Sequence, residues 1–179
     1  MQTSSTAELW DVIAGEAAEE SPLWREALLP AAELAREPVF SPLGEERYAL
    51  GLETIYEGYL LHYGRPRLFA PKDRDTALLL GDYLYAHGLV RIAVFEVVEA
   101  VADLAALISL CAQLRAEGNE GDGPAWAATA TLLGRDSLDE ARTALREQGE
   151  SEALNSLARE AAGIEAVELA LALHLSRTR

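Results

Sequence analysis

Apolar residues recur at intervals of three and four positions along nearly the whole chain, and this spacing is the feature that most constrains the fold. In an α-helix such spacing gathers the apolar side chains on one face, which can then be buried against other helices. No segment alternates between apolar and polar residues for long enough to indicate a half-buried β-strand. The sequence therefore predicts an all-α protein.

Length and composition predict a single domain that comprises residues 1–179. Half of the residues, 50%, are hydrophobic. A chain of this size buries about 70% of the surface that its unfolded form exposes, which is enough for one core. We expect a bundle of seven or eight helices.

Charge, cysteine content and the N-terminus limit the possible partners and compartments. The formal net charge is −15, whereas binding to nucleic-acid phosphates needs clustered Lys and Arg, so we expect no nucleic-acid partner. Cys111 is the only cysteine in the sequence, so it cannot form an internal disulfide. The N-terminus lacks the basic region and apolar block of a secretory signal. We therefore expect a cytoplasmic protein. The most apolar windows, 94–114 and 161–175, contain carboxylates that are costly in a bilayer, so we expect no integral membrane protein.

Capping residues predict where the helices begin and end. Two segments fit the capping box, and two others place a proline directly after a capping serine: Ser5-x-x-Glu8, Ser137-x-x-Glu140, Ser21-Pro22 and Ser41-Pro42. A further helix begins at Asp73 or Asp75 and either continues through Gly88 or breaks there. The predicted helices span 5–20, 21–37, 41–63, the segment after Asp73 or Asp75, 94–117, 124–134, 137–148 and 152–176.

One carboxylate lies inside the strongly apolar stretch LLLGDYLYAHGLVRIA. In a helix, the neighbours of Asp82 at three and four positions are Leu78, Leu79, Tyr85 and Ala86. A buried carboxylate without a partner is expensive. We therefore expect Asp82 to reach a hydrogen-bond donor, to face a water-filled pocket or to lie at a helix end.

No group of residues has the spacing of a metal site. His62, His87 and His174 are far apart in the sequence and lack the paired spacing of zinc ligands. The carboxylates do not gather on an apolar helix face as a divalent cation would require. We predict no metal, no cofactor and no catalytic residue.

Three motifs, taken in order, resemble those of the trans-isoprenyl diphosphate synthases, the all-α enzymes that lengthen polyprenyl diphosphates. LLHYGRPR is similar to the helix end and arginine pair around the first aspartate-rich motif of that family. LLLGDYLYAHGL is similar to its LAGDYLLA motif, and RAEGNEGD is similar to its AEGQ or G-Q-x-x-D signature. The resemblance spans residues 53–122 and implies an isoprenoid-synthase-like fold.

The chain departs from that family at the positions that would bind metal. Tyr63 and Gly64 stand where the family has its first aspartates, and nothing after Asp122 is similar to the second aspartate-rich motif. Prenyl transfer in the family depends on Mg²⁺ that neutralises the leaving diphosphate. The resemblance therefore implies a shortened, non-catalytic member that acts as an accessory or regulatory subunit on a helical protein partner, such as a prenyl diphosphate synthase.

On this resemblance, Asp82 would face the remnant of the central cavity, and Tyr56, Tyr59 and Tyr63 would fill the space that substrate occupies in active relatives. The alternative is a small enzyme or binding protein that holds an apolar, prenyl-like ligand in a residual pocket. The candidate pocket residues are Tyr56, Tyr59, His62, Asp82, His87 and Glu117. A third possibility is a homo-oligomer without a small ligand.

Two arginines that follow the aromatic helix have two interpretations. Arg65 and Arg67 either contact a phosphate or simply lie exposed after the helix end. The sequence leaves both interpretations open.

Overall fold

The computed structural model of the protein describes residues 6–135 and 137–179. Within these residues it contains nine α-helices and no β-strand, which confirms the predicted all-α fold. The helices are α1 (Thr6–Glu20), α2 (Pro22–Glu26), α3 (Ala49–Tyr63), α4 (Arg74–Ala93), α5 (Val98–Glu117), α6 (Asp122–Thr131), α7 (Asp139–Gln148), α8 (Glu152–Ala162) and α9 (Ile164–Thr178). In the described part of the chain, every helix is too short or too polar to cross a lipid bilayer.

α3 lies at the centre of the bundle. Every residue from 51 to 61 is buried, so this helix has no exposed face over three turns. A helix in such a position needs a partner for each of its polar side chains. The buried stretch contains two carboxylates, Glu53 and Glu57, and both pair with Arg67.

α4 packs along α3 through two pairs of glycines. Gly58 faces Gly81 and Gly51 faces Gly88, and this reversed order shows that the two helices run in opposite directions. An added Cβ on Gly58 would lie 2.9 Å from the carbonyl oxygen of Gly81, and one on Gly88 would lie 3.0 Å from that of Gly51. Because glycine has no Cβ, the two backbones can approach more closely here than other residues would allow.

The hydrophobic core consists of two clusters, and α3 contributes to both. The larger cluster lies among α3, α5, α6, α8 and α9, and Trp126 of α6 is among its largest members. The smaller cluster lies between α1 and α4. Its buried members are Trp10, Ile13, Ala17, Ala27, Leu61, Leu68, Phe69, Leu80 and Leu84.

The predicted helix over residues 21–37 is wrong beyond the end of α2. From there the chain bonds to the segment that follows α3: Leu29 N donates to the carbonyl oxygen of Leu68 at 2.9 Å, and Ala70 N donates to that of Ala27 at 2.7 Å. Pro30 also has no N–H to continue a helix. Tertiary backbone hydrogen bonds therefore replace the helical ones in this segment.

Two other predicted boundaries are wrong. A 3-10 turn forms at Ser41–Leu43, and extended backbone at Gly44 follows it. A second 3-10 turn at Glu46–Tyr48 then leads into α3, which begins at Ala49. The predicted C-terminal helix is divided into α8 and α9 at Gly163, whose φ of +89° lies in the left-handed region. In both places a glycine adopts a conformation that ends a helix.

The structure decides the two alternatives that the sequence left open for α4, its N-cap and its course at Gly88. The Asp73 carboxylate accepts a hydrogen bond from the Thr76 N–H at 2.8 Å, which confirms Asp73 as the N-cap. α4 continues through Gly88 without a break. The predicted capping box at Ser137 is wrong, because the next residue is the N-cap of α7; Ser5 lies outside the described residues.

Replacement of Gly88 by alanine should lower the free energy of unfolding by about 1–3 kcal/mol. The added Cβ would lie 2.3 Å from Cγ1 of the fully buried Ile55, so the α3–α4 contact would have to open. Gly15 in α1 is a matched control because it is exposed and an added Cβ meets nothing within 4 Å. Gly15→Ala should raise the free energy of unfolding by about 0.5–1 kcal/mol. Urea denaturation measures both, and a stabilising Gly88→Ala substitution would contradict the close packing of α3 on α4.

Candidate functional site

The six predicted pocket residues lie in four separate parts of the structure. Two pairs are brought together: Tyr56 with Tyr59 in the core, and His62 with Asp82 where α3 meets α4. His87 and Glu117 lie apart from both pairs. The candidate pocket residues therefore do not share one location.

His87 and Glu117 have local partners at the surface. His87 Nδ1 lies 3.5 Å from Glu16 Oε2 of α1, and its ring packs against Tyr83 with the ring centres 4.4 Å apart. Glu117 is exposed and accepts hydrogen bonds from the amides of Gln113 and Asn119, at 2.9 and 3.0 Å. Both residues are accounted for by neighbouring side chains.

Asp82 lies on the outer side of α4 rather than in the interior. Its side chain is 70% exposed, so Asp82 faces solvent and not the remnant of a central cavity that the resemblance implied. Gly81 and Leu84 face α3, and the adjacent position therefore points to solvent. Asp82 Oδ1 is 3.1 Å from His62 Nε2, but the two groups are not aligned as a hydrogen bond.

His62 is held in its neutral form beside Asp82. Burial lowers the pKa of His62, and the charge of Asp82 opposes this effect without reversing it. The imidazole stacks on Tyr85 with ring centres 5.1 Å apart and an angle of 8° between the planes. At neutral pH the Asp82 carboxylate therefore has no cationic partner in His62.

Arg67 is fully buried, so neither sequence interpretation, phosphate contact or exposed side chain, describes it. Its Nη1 is 2.6 Å from Glu53 Oε2 and its Nε is 3.0 Å from Glu57 Oε2. Nη1 also donates to the carbonyl oxygen of Glu37 at 3.1 Å. The attraction of both carboxylates outweighs burial and raises the pKa of Arg67, so the guanidinium remains charged and committed to these partners.

The two carboxylates that hold Arg67 also bind backbone amides. Glu57 Oε1 accepts hydrogen bonds from the N–H groups of Arg67 and Leu68 at 2.7 and 2.8 Å. Glu53 Oε1 accepts hydrogen bonds from the backbone N–H groups of Val39 and Ser41, both at 3.3 Å. The ion pairs and these hydrogen bonds together satisfy a buried site that carries one cation and two anions.

Arg65 is exposed, as one interpretation expected, and it forms hydrogen bonds with the C-terminal end of α9. Its side chain donates to the carbonyl oxygen of Ser176, and its backbone N–H donates to that of Arg177 at 2.9 Å. Free carbonyl groups at a helix C-terminus are favourable partners for a cation. The observed contacts of Arg65 are therefore with the chain itself.

Arg67→Ala should lower the free energy of unfolding by about 3–5 kcal/mol, because Glu53 and Glu57 would stay buried without a cation. Arg67→Lys should also be strongly destabilising, since an ammonium group cannot reproduce the fork that reaches both carboxylates. Arg65→Ala, at an exposed site, should cost less than about 1 kcal/mol. Thermal and urea unfolding measure all three. An Arg67→Lys protein as stable as Arg65→Ala would contradict the role of the fork.

A second polar network in the core joins α3, α5, α6 and α9. Tyr56 Oη lies 3.0 Å from His174 Nδ1 of α9. Tyr59 donates to Asp122 at the beginning of α6, and Arg115 Nε donates to the same carboxylate at 2.9 Å. His174 Nε2 is 3.6 Å from Asp122, which is too far for a strong hydrogen bond but close for a charge interaction.

The network keeps the two tyrosines protonated and Asp122 ionised. Burial raises the pKa of Tyr56 far above its ordinary value, and burial and the charge of Asp122 do the same for Tyr59. Burial would also raise the pKa of Asp122, but the nearby His174, the hydrogen bond from Tyr59 and the charge of Arg115 outweigh it and hold that pKa well below its usual range. The hydroxyls thus act as hydrogen-bond donors and Asp122 as an acceptor.

Sequence reasoning placed the network's members in separate groups and did not connect them. Tyr59 and Asp122 are 63 positions apart, and Tyr56 and His174 are 118 positions apart. No local spacing reports contacts over such distances. The only sequence signal is indirect: polar residues that occur in otherwise apolar helices must find partners.

The lowered pKa of Asp122 predicts a loss of stability in acid. A carboxyl whose pKa is lower in the folded than in the unfolded chain contributes stability above the unfolded value of about 3.9, and this contribution is lost as the pH falls through the folded value. Asp122→Asn should therefore flatten the decrease of unfolding free energy below about pH 4. Asp75→Asn, at an exposed position, is the control. Unfolding curves recorded at several acidic pH values measure the slope, and an unchanged slope in Asp122→Asn would contradict the assignment.

Among the described residues, neither a possible metal site nor one of the two surface clefts lies at the six candidate pocket residues. Among residues 6–135 and 137–179, no group of three or more His, Cys, Asp or Glu side chains could hold a metal ion. One surface cleft of about 410 Å³ lies beside the 3-10 turns before α3, and another of about 70 Å³ lies between α2 and the start of α4. Neither is lined by any of the six candidate residues.

α4 and α5 present an exposed and mostly apolar surface, which we call the α4–α5 face. The two helices contact each other and are joined by residues 94–97. Asp82 is the one charged residue among those that define the face. The residues that define the α4–α5 face are Leu79, Asp82, Ala86, Val90 and Ala93 on α4, Val94 and Phe95 in the connection, and Val98, Ala102, Ala105, Ser109, Ala112 and Ala116 on α5.

The α4–α5 face concentrates large apolar side chains. Leu79, Val90, Val94, Phe95 and Val98 are five of the nine large apolar side chains that are exposed in the described part of the chain. Single exposed apolar residues are ordinary, but a contiguous group marks a surface that binds another molecule. Comparison with protein-family models, with curated proteins and with solved structures finds no match for this chain.

Proposed function

We propose that this protein is a non-catalytic, polyprenyl-synthase-like accessory subunit that docks through the α4–α5 face on a helical partner, such as a prenyl diphosphate synthase. The observation that carries the proposal is the apolar outer side of α5. That helix already buries Leu104, Leu107 and Leu110 on its inner side. A helix that is apolar on both sides is typical of one that is buried on both sides.

The spacing on the outer side of α5 supports a helical partner. Its exposed apolar and small residues are separated by intervals of four and three, which average 3.6 residues and so form one continuous face along the helix: positions 98, 102, 105, 109, 112 and 116. Alanine and serine occupy most of them, and small side chains let a second helix approach closely. α7 shows the contrast, because the outer side of that helix carries charged residues.

The interior supports a scaffold rather than a reacting site. Tyr56 and Tyr59 are buried, and their hydroxyls are committed to His174 and Asp122. Tyr63, which stands where the resembled family has an aspartate, packs against Tyr59 with ring centres 5.3 Å apart. The alternative function, a small enzyme or prenyl-binding protein, would need its six candidate residues around one cavity, and they lie in four places.

Co-expression with the full-length prenyl diphosphate synthase of the same cell tests the proposal. We expect a complex on size-exclusion chromatography with light scattering. Val90→Glu should weaken it by about tenfold or more, since a charge would enter the apolar centre of the interface. Leu79→Glu should also weaken the complex. Leu169→Glu is its matched control, because the two leucines are 59% and 62% exposed but Leu169 lies on α9 and not on the α4–α5 face.

Two outcomes of that experiment would contradict the proposal. One is a chain that stays monomeric in the presence of the synthase. The other is a complex that Leu79→Glu and Leu169→Glu weaken equally, because the α4–α5 face would then have no special part in binding. Pyrophosphate release measured with the purified chain alone should remain at background.

A further inference from the structure

The charged residues within the α4–α5 face and at its ends are mainly acidic. Arg47, which pairs with Glu45, lies over the ring of Phe95 at 5.8 Å. Asp82 lies within the α4 stripe, and Glu96 and Glu99 are exposed at the end where the two helices are joined. Asp75 and Glu117 are exposed at the opposite ends of the two helices. The exposed stripes themselves contain neither Lys nor Arg, and Arg74 lies outside them beside Asp75.

The area of the α4–α5 face approaches that of a stable interface if helices of the partner cover the exposed sides of both α4 and α5. α4 and α5 have 20 residues each, and a helix of that length is about 30 Å long. α4 contacts α5 much less than it contacts α3, so each stripe is taken by itself. A stripe about 10 Å wide along each helix gives about 300 Å², or about 600 Å² for both helices. A standard interface buries about 800 Å² on each partner, so the occupant has to extend along both helices.

A second copy of this chain would meet the face with like charges. A two-fold dimer brings the same patch of both subunits together. Asp82 and Glu99 would then approach acidic residues of the other copy, with no basic residue on either stripe to pair with them. Like charges juxtaposed across an interface oppose association, and each chain already carries a net charge of −15.

We infer that the occupant of the α4–α5 face is a different protein, whose docking surface is an apolar helix pair with Lys or Arg side chains placed opposite Asp82 and Glu99. The inference rests on the proposed function and specifies the chemistry of the partner. His62 does not take that place, because its pKa is lowered and it is neutral beside Asp82. A basic side chain from the partner would supply the missing cation.

A charge-reversed copy of this chain is a defined probe of that chemistry. The double variant Asp82→Lys, Glu99→Lys presents the same apolar helix pair with a basic rim. Mixed with the unmodified chain, it should form a one-to-one dimer whose dissociation constant is at least tenfold lower than that for self-association of the unmodified chain. Raising the salt concentration should weaken the mixed dimer, since the added contacts are electrostatic.

Two controls separate local from general effects. Glu147→Lys, Glu150→Lys changes the net charge equally at exposed positions in and just after α7, and it should not form the mixed dimer. Val90→Glu in the unmodified chain should abolish the mixed dimer, whereas Leu169→Glu should leave it intact. Sedimentation equilibrium of each chain alone and of each mixture measures these constants.

The results distinguish this inference from the proposed function. A dimer of the unmodified chain that Val90→Glu abolishes would overturn the inference, because a second copy would then occupy the face. A mixed dimer no tighter than self-association would also overturn it. A synthase that binds the unmodified chain and Asp82→Lys, Glu99→Lys equally would overturn it while leaving the proposed function in place. If the mixed dimer forms but the synthase does not bind, the inference about charge is supported and the synthase is not the partner.

Discussion

The pairing of Arg67 with Glu53 and Glu57 is the interaction on which the rest of the structure depends. α3 is buried on every side and contains two carboxylates. Without a cation to pair with them, these carboxylates would make burial of the helix too costly. Arg67 also lies over the rings of Trp10, at 4.5 Å, and Tyr56, at 5.0 Å. One side chain therefore joins α1, α3 and the segment after α3. Because its backbone neighbours bond to the chain after α2, the same arginine explains why that chain is not helical.

The contact between α3 and α4 determines what the outside of the protein offers. The glycine pairs fix which side of α4 faces α3, and successive residues of a helix are rotated by about 100°. Asp82 follows the contact residue Gly81 and so points outward, together with Leu79 and Val90. The carboxylate is thus compatible with its apolar neighbours because those neighbours divide between two sides of the helix. The inner residues pack on α3, and the outer ones remain exposed on the α4–α5 face.

The fold class and a helix that begins near Asp73 could be predicted, because periodicity and caps are local signals. The choice between Asp73 and Asp75 as the cap, and the course of α4 through Gly88, stayed open in the sequence. The segment between α2 and α3 could not be predicted, since its hydrogen bonds go to residues about 40 positions away along the chain. The surroundings of the candidate pocket residues could not be predicted for the same reason. The spacing around Tyr59 and His62 placed them on one helix, but contacts with Asp122 and Asp82, from other helices, separate their surroundings. The burial of Arg67 was the feature furthest from the prediction, because nothing in a pair of arginines after a helix end indicates that one of them is buried.

The interior and the surface lead to the same functional argument. Buried groups that could act on a ligand, the hydroxyls of Tyr56 and Tyr59 and the carboxylate of Asp122, are already bonded to one another or to His174. This network holds four helices together, with His174 Nε2 as its one member atom that lacks a hydrogen-bond partner. Breaking the network to admit a ligand would leave more polar atoms unpaired in an apolar core. The α4–α5 face has the opposite property, since its apolar side chains gain free energy only when another molecule covers them. The proposed function therefore assigns stability to the buried network and recognition to the α4–α5 face, where Asp82 would give the partner its charge preference.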